Sequence, residues 1–157
     1  MRVLGIDFGE NRTGIAISDP LGWTAQGLEA VSGGINKTIA RIVGLAHEMG
    51  IQTIVVGYPL NMNGTAGPRA ERTDAFITAL KTRLAAARSG GNGGGNGRDI
   101  SVVKLDERLS SKEAARTLEL AGVRPTARSV REKGKLDIMA ATIILQNYLD
   151  RAKTTII

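Results

Sequence analysis

The fold is decided at the very start of the chain, which reads Arg2-Val3-Leu4-Gly5-Ile6-Asp7-Phe8, then Gly9-Glu10-Asn11, then Thr13-Gly14-Ile15-Ala16-Ile17-Ser18. Two apolar, β-prone segments flank a short turn. Such a turn joins antiparallel strands, because parallel neighbours need a crossover of about a dozen residues or more. Asp19-Pro20-Leu21-Gly22 makes a second turn, and a third strand is expected over about Thr24 to Val31. The chain therefore opens as an antiparallel three-stranded unit.

Beyond it the periodicity changes. Asn36 stands as an N-cap before Ile39, Ile42, Val43, Ala46 and Met49, which recur at helical spacing until Gly50. Gln52 to Gly57 is a short apolar strand of the kind buried on both faces. Pro68 opens a second helix with Ile77, Leu80, Leu84 and Ala87 on its apolar side. Ser89 to Gly97 holds six glycines in nine residues, so residues 89–98 are expected to be a flexible surface loop. Ile100 to Leu105 is a further buried-type strand. Ser110 with Glu113 forms a capping box at the start of a helix, and the last helix is expected from about Leu136 to Ala152. The order βββ, α, β, α, β, α, α describes one α/β domain over residues 1–152. Its mixed five-stranded sheet has three antiparallel strands, then parallel additions, and helices flank it.

Composition narrows the function. Cysteine is absent, which excludes disulfides and thiolate metal sites and suits a cytoplasmic protein. No apolar run reaches the ~18 residues of a membrane span, and the early charge at Arg2 does not suit a secretory signal. The formal net charge of +6 favours polyanionic partners such as nucleic acid. It concentrates in residues 124–135, where Arg124, Arg128, Arg131, Lys133 and Lys135 face a single Glu132. This segment is expected to be a mobile basic arm.

Three places could carry chemistry. Asp7 lies inside an apolar strand, where a charge must be paired or bind metal. The bland alternative is an aspartate satisfied by turn amides. Asp106 and Glu107 end a strand, where ligands collect in open α/β sheets. Glu113 is occupied by its capping box, whereas Glu107 has no local task, so Glu107 is the better candidate of that pair. Asp137 is expected in the first turn of the last helix, where an acid also complements the helix dipole. Ala140 and Ala141 above it would let that helix lie close to the sheet. Carboxylates from separate elements that converge in this way can hold Mg²⁺ or Mn²⁺ through hard oxygen ligands for phosphodiester hydrolysis.

At these residues the chain resembles a known family. The opening Met1 to Gly9 with Arg12-Thr13-Gly14-Ile15-Ala16, the stretch Val56-Gly57-Tyr58-Pro59-Leu60-Asn61-Met62-Asn63-Gly64-Thr65, the run Asp106-Glu107-Arg108-Leu109-Ser110, and Lys135-Leu136-Asp137 through Ala140-Ala141 are similar, in order, to the motifs of the YqgF (RuvX-like) family. The resemblance implies an RNase H-like fold and a metal-dependent nuclease acting in 5′-end maturation of pre-16S ribosomal RNA, or on branched DNA as a Holliday-junction resolvase. It maps the family's acids onto Asp7, Glu107 (or Asp106) and Asp137 as catalytic residues, with Asp7, Glu107 and Asp137 holding Mg²⁺ or Mn²⁺. The glycine-rich insert is not part of the family pattern.

Nucleic-acid contacts are expected from Arg12 and Thr13 after the first strand, Asn61 and Asn63 in the middle loop, Arg69 and Arg72 beyond it, Arg108, and the basic segment Arg124, Arg128, Arg131, Lys133 and Lys135. Aromatic residues are too scarce for base stacking to dominate recognition. His47 reads as a helix-surface residue, and Trp23 as a shield for the sheet edge. Two other classes compete. The Asp7-Phe8-Gly9 turn also resembles the phosphate loop of actin-like ATPases, but those need two such domains. A non-catalytic RNA-binding assembly factor would have no use for buried acids. The protein could act as a monomer or a homodimer, since junction resolution calls for a two-fold pair.

Overall fold

The computed structural model describes residues 1–90, 99–107 and 130–155, with the side chains of 130–133 and 155 aside. The elements run β1 (Arg2–Asp7), β2 (Arg12–Ser18), β3 (Ala25–Ser32), α1 (Ile35–Glu48), β4 (Ile51–Tyr58), α2 (Pro68–Ser89), β5 (Ser101–Asp106) and α3 (Val130–Thr155). The five strands form one sheet in the order β3-β2-β1-β4-β5. β1 pairs antiparallel with β2, and β2 with β3; β4 and β5 add parallel on the other side of β1. The expected mixed sheet is therefore present.

Alternation along β1 assigns the two faces. Leu4 and Ile6 join Ile15, Ile17, Ile54 and Val56 in a core covered by Ile39, Ile42 and Leu45 of α1 and by Phe76, Ile77 and Leu80 of α2. Phe8 stacks on Phe76 with ring centroids 4.3 Å apart. Val3, Ala16, Val55 and Leu105 form the opposite core with Ala141, Ile144, Leu145 and Leu149 of α3. The inner strands are thus covered on both sides, which is why they read as continuous apolar runs.

Several boundaries differ from the sequence reading. α1 begins after Gly34, whose φ of 92° suits glycine, so Asn36 lies inside the helix and does not cap it. β5 is an edge strand with only Leu105 buried, not a strand covered on both faces. α3 starts at Val130, not Leu136, and the part of the basic segment from 130 to 135 is helical. Packing across the sheet outweighs the low helix propensity of Gly134 there. The glycine-rich stretch from 91, the Ser110/Glu113 capping box, Arg108, Arg124 and Arg128 lie outside the described residues.

The C-terminal half of α3 is tied to the turn before β3. The Gln146 side chain accepts a hydrogen bond from the Ala25 N–H at 2.8 Å and donates to the Trp23 carbonyl at 3.2 Å. Lys153 donates to the same carbonyl at 2.7 Å and sits 4.8 Å from the centre of the Trp23 ring. Trp23 is 56% exposed against this helix end. His47 is exposed on α1, as its position in the helical pattern suggests.

Candidate active site

Asp7 is the last residue of β1, the central strand, and faces α3. Its neighbour on β2 is Gly14. On the other side Ile6 stands opposite Val56 of β4, so the strand continues past Asp7 with Gly57. Asp7 thus has a residue without a side chain on either hand. These bare positions are occupied from other elements. A Cβ on Gly14 would run into the backbone carbonyl of Asp137 on α3. A Cβ on Gly57 would collide with the Glu107 carboxylate and would lie 2.6 Å from Ile144 Cδ1. A glycine inside a strand marks a place where something approaches closely, and here the two glycines bring acids from two distant segments to the flanks of Asp7.

The charges of these groups act on one another. The Asp7 carboxyl is pushed up from 3.8 to about 7, first by burial and then by the charges of Glu107 and Asp137, with Arg69 opposing. Glu107 is also raised, chiefly by burial; Arg69 lowers it and Asp106 raises it. Asp106 ends β5 opposite Tyr58. Of the two adjacent acids, Glu107 is the one whose carboxylate lies at Gly57 beside Asp7. Asp137 lies well inside α3, not in its first turn, so dipole complementation does not explain it. Its Oδ2 accepts a 2.9 Å hydrogen bond from Arg12 Nε.

The donor set is all carboxylate oxygen, which suits a hard cation such as Mg²⁺ or Mn²⁺. The mutual repulsion at Asp7 is of the kind a divalent charge relieves. Among the described residues, however, no three His, Cys, Asp or Glu side chains already stand together as a metal cage.

The residues expected to meet nucleic acid separate into groups. Arg69, in the first turn of α2, is exposed and close enough to influence both Asp7 and Glu107. Arg72 pairs with Glu10 at 2.7 Å on the surface. Asn61 donates to the Thr65 hydroxyl at 3.1 Å, and Asn63 Oδ1 accepts from the Thr65 N–H and hydroxyl, so both side chains shape their own loop. Thr13 is buried, and its hydroxyl donates to the Gly9 carbonyl at 3.4 Å. Lys135 is exposed on α3, which also carries Arg131 and Lys133.

Two features escaped the sequence reading. One is the pair of glycines beside Asp7, whose signal is glycine inside a strand. The other is a cluster at the end of β4. Tyr58 donates its hydroxyl to Asp74 Oδ2 at 2.6 Å, and Lys104 donates to Asp74 Oδ1 at 2.6 Å while sitting 4.5 Å from the Tyr58 ring centre. It ties α2 to the open edge of the sheet, and its members are too far apart in sequence to form a motif.

A five-stranded mixed sheet of this order, with a helix laid across an acid at the end of its central strand, is the RNase H-like fold. The solved structure described as T. thermophilus RuvC in complex with Holliday junction substrate superposes with a TM-score of 0.57 at 15% identity, covering 99% of this chain and 97% of that chain. A second Thermus thermophilus RuvC structure gives 0.54. At that identity the likeness shows the fold alone. The family follows from sequence: the model of the RuvX family, described as Holliday junction resolvase, matches residues 1–151, and the chain belongs to that family. Among its relatives are proteins of Acetivibrio thermocellus, 44% identical over 96% of this chain and 96% of theirs, and of Ruminiclostridium cellulolyticum, 42% identical over 96% and 95%. Each bears the name "Putative pre-16S rRNA nuclease".

Proposed function

We propose that the chain is a divalent-metal-dependent nuclease of the cytoplasm that cleaves the precursor of 16S ribosomal RNA, with Asp7, Glu107 and Asp137 as its catalytic acids. The observation that carries the reading is Asp7, a carboxylate at the end of the central strand with two further acids converging on it and its proton affinity raised by burial and their charge. A binding protein gains nothing from such a cluster, and an acid held against its solvation preference marks a functional site. The names of the relatives favour RNA as the substrate.

Asp7, Glu107 and Asp137 would hold Mg²⁺ or Mn²⁺, which lowers the proton affinity of water and offsets charge on the leaving oxygen. The other work falls to the chain. Gly14 and Gly57 leave the room in which the acids meet. Arg69 balances Asp7 and Glu107 and stands ready to neutralise a phosphate. The exposed Lys135 adds backbone affinity without sequence choice.

The test offers pre-16S ribosomal RNA and a synthetic four-way DNA junction side by side. Cleavage is expected to stop with EDTA and return with Mn²⁺. Asp7→Asn and Glu107→Gln are expected to cut about a hundredfold more slowly or worse, whereas Asp106→Asn stays within about threefold of the parent. A folded Asp7→Asn that cuts normally would remove the active-site assignment. Branched DNA is the second reading, favoured by the description of the family model; preferential cutting of the junction, with a dimer in solution, would select it.

A further inference from the structure

The side chain of Asp137 carries an ion pair while its charge also acts on Asp7. Arg12, at the start of β2, donates to Asp137 Oδ2 at 2.9 Å, and both side chains are 25% exposed. Meanwhile the α3 backbone lies close against the sheet: the Asp137 carbonyl sits over Gly14, where no Cβ could be accommodated. The carboxylate can therefore change partners chiefly by side-chain rotation, with the helix still against the sheet. Arg12 is reachable from solvent, and its planar guanidinium fork matches a phosphodiester at least as well as a carboxylate.

We propose that Arg12 is a latch. It keeps Asp137 on the guanidinium in the free protein, and a phosphate of bound nucleic acid takes over Arg12 and releases Asp137 to the cation. This rests on the nuclease reading and adds to it. The metal set becomes complete only when substrate is present, so cation and nucleic acid bind cooperatively, each strengthening the other by the same factor. Idle metal loading, and with it cleavage of the wrong partner, is held down. The absence of any three-acid cluster among the described residues is consistent with the latched arrangement.

The experiment is calorimetric titration of Mn²⁺ into the full chain without nucleic acid. Arg12→Gln is expected to bind Mn²⁺ about two- to fivefold tighter than the parent, the range of a partly exposed ion pair. The gain is expected to disappear when Asp137→Asn is added. With a 2′-O-methyl RNA duplex present, Mn²⁺ affinity is expected to rise by a larger factor in the parent than in Arg12→Gln. Arg12→Lys, which keeps the charge and loses the fork, serves if the glutamine variant does not fold, and falls between the two. Equal or weaker Mn²⁺ binding by a folded Arg12→Gln overturns the latch and leaves the nuclease reading standing. So does a gain that survives Asp137→Asn, because it is then the general effect of removing a positive charge. If neither parent nor variant binds Mn²⁺, the metal-dependent reading falls, and the latch with it.

Discussion

Asp7 burdens the free protein. Its carboxyl in the folded chain binds a proton more tightly than in the unfolded chain, at about 7 against 3.8. Folding stability is therefore fullest below about pH 4 as far as this residue is concerned, and declines as pH rises toward 7, where the folded site must carry the charge. The difference corresponds to roughly 4 kcal/mol at most, since water reaches part of the site. Asp7→Asn keeps the shape and removes the charge. It is expected to be more stable than the parent by about 1–3 kcal/mol at pH 8 in metal-free buffer, with the gap closing toward pH 5. Urea melts at the two pH values decide it, and a pH-independent difference would sever the link to ionisation. Mn²⁺ is expected to raise the melting temperature of the parent and not of Asp7→Asn.

At the scale of elements, α3 lies close to the sheet because small residues make a trough for it. Gly5, Ala16 and Gly27 face each other across β1, β2 and β3. A Cβ on Gly5 would come within 2.6 Å of Leu145 Cβ and 2.9 Å of the Ala141 carbonyl, and one on Gly27 within 2.5 Å of Ile138 Cγ2. Gly5→Ala and Gly14→Ala are each expected to cost about 1–3 kcal/mol of stability. Gly14→Ala is expected to lose cleavage out of proportion, because it pushes back the turn that carries Asp137. Gly44→Ala is the contrast: the site is open and inside α1, so the variant gains about 0.5–1 kcal/mol. Thermal melts and cleavage assays on the three variants check the set; equal behaviour of Gly14→Ala and Gly44→Ala would refute the trough. The inner strands were legible as continuous apolar runs covered on both sides, and α1 as a helical stripe buried on one face. The onset of α3 was not, because charge at Arg131, Lys133 and Lys135 hides a helix that packing sustains. Asp7 stood out by charge inside an apolar strand, whereas Asp137 was marked chiefly by the resemblance. The pairing of Asp137 with Arg12 was not legible, since 125 residues of chain separate them and only the sheet brings them together.

The whole molecule sets its acids at one end of the sheet and an apolar turn at the other. Arg12 and Arg69 beside the acids draw a polyanion in, while the acids themselves resist it until cations arrive. α3 joins the two ends. From Asp137 to Lys153 it spans about 24 Å at ~1.5 Å per residue. Its far end holds Trp23 by two donors on one carbonyl and an ammonium on the indole face. Trp23 is the chain's single tryptophan. Any tilt of the rod at its acidic end is levered onto this one fluorophore, remote from the ligand itself. Intrinsic emission is therefore expected to shift when Mn²⁺ and RNA load together, and Lys153→Ala to mute the response, giving the protein a built-in optical gauge that needs no label.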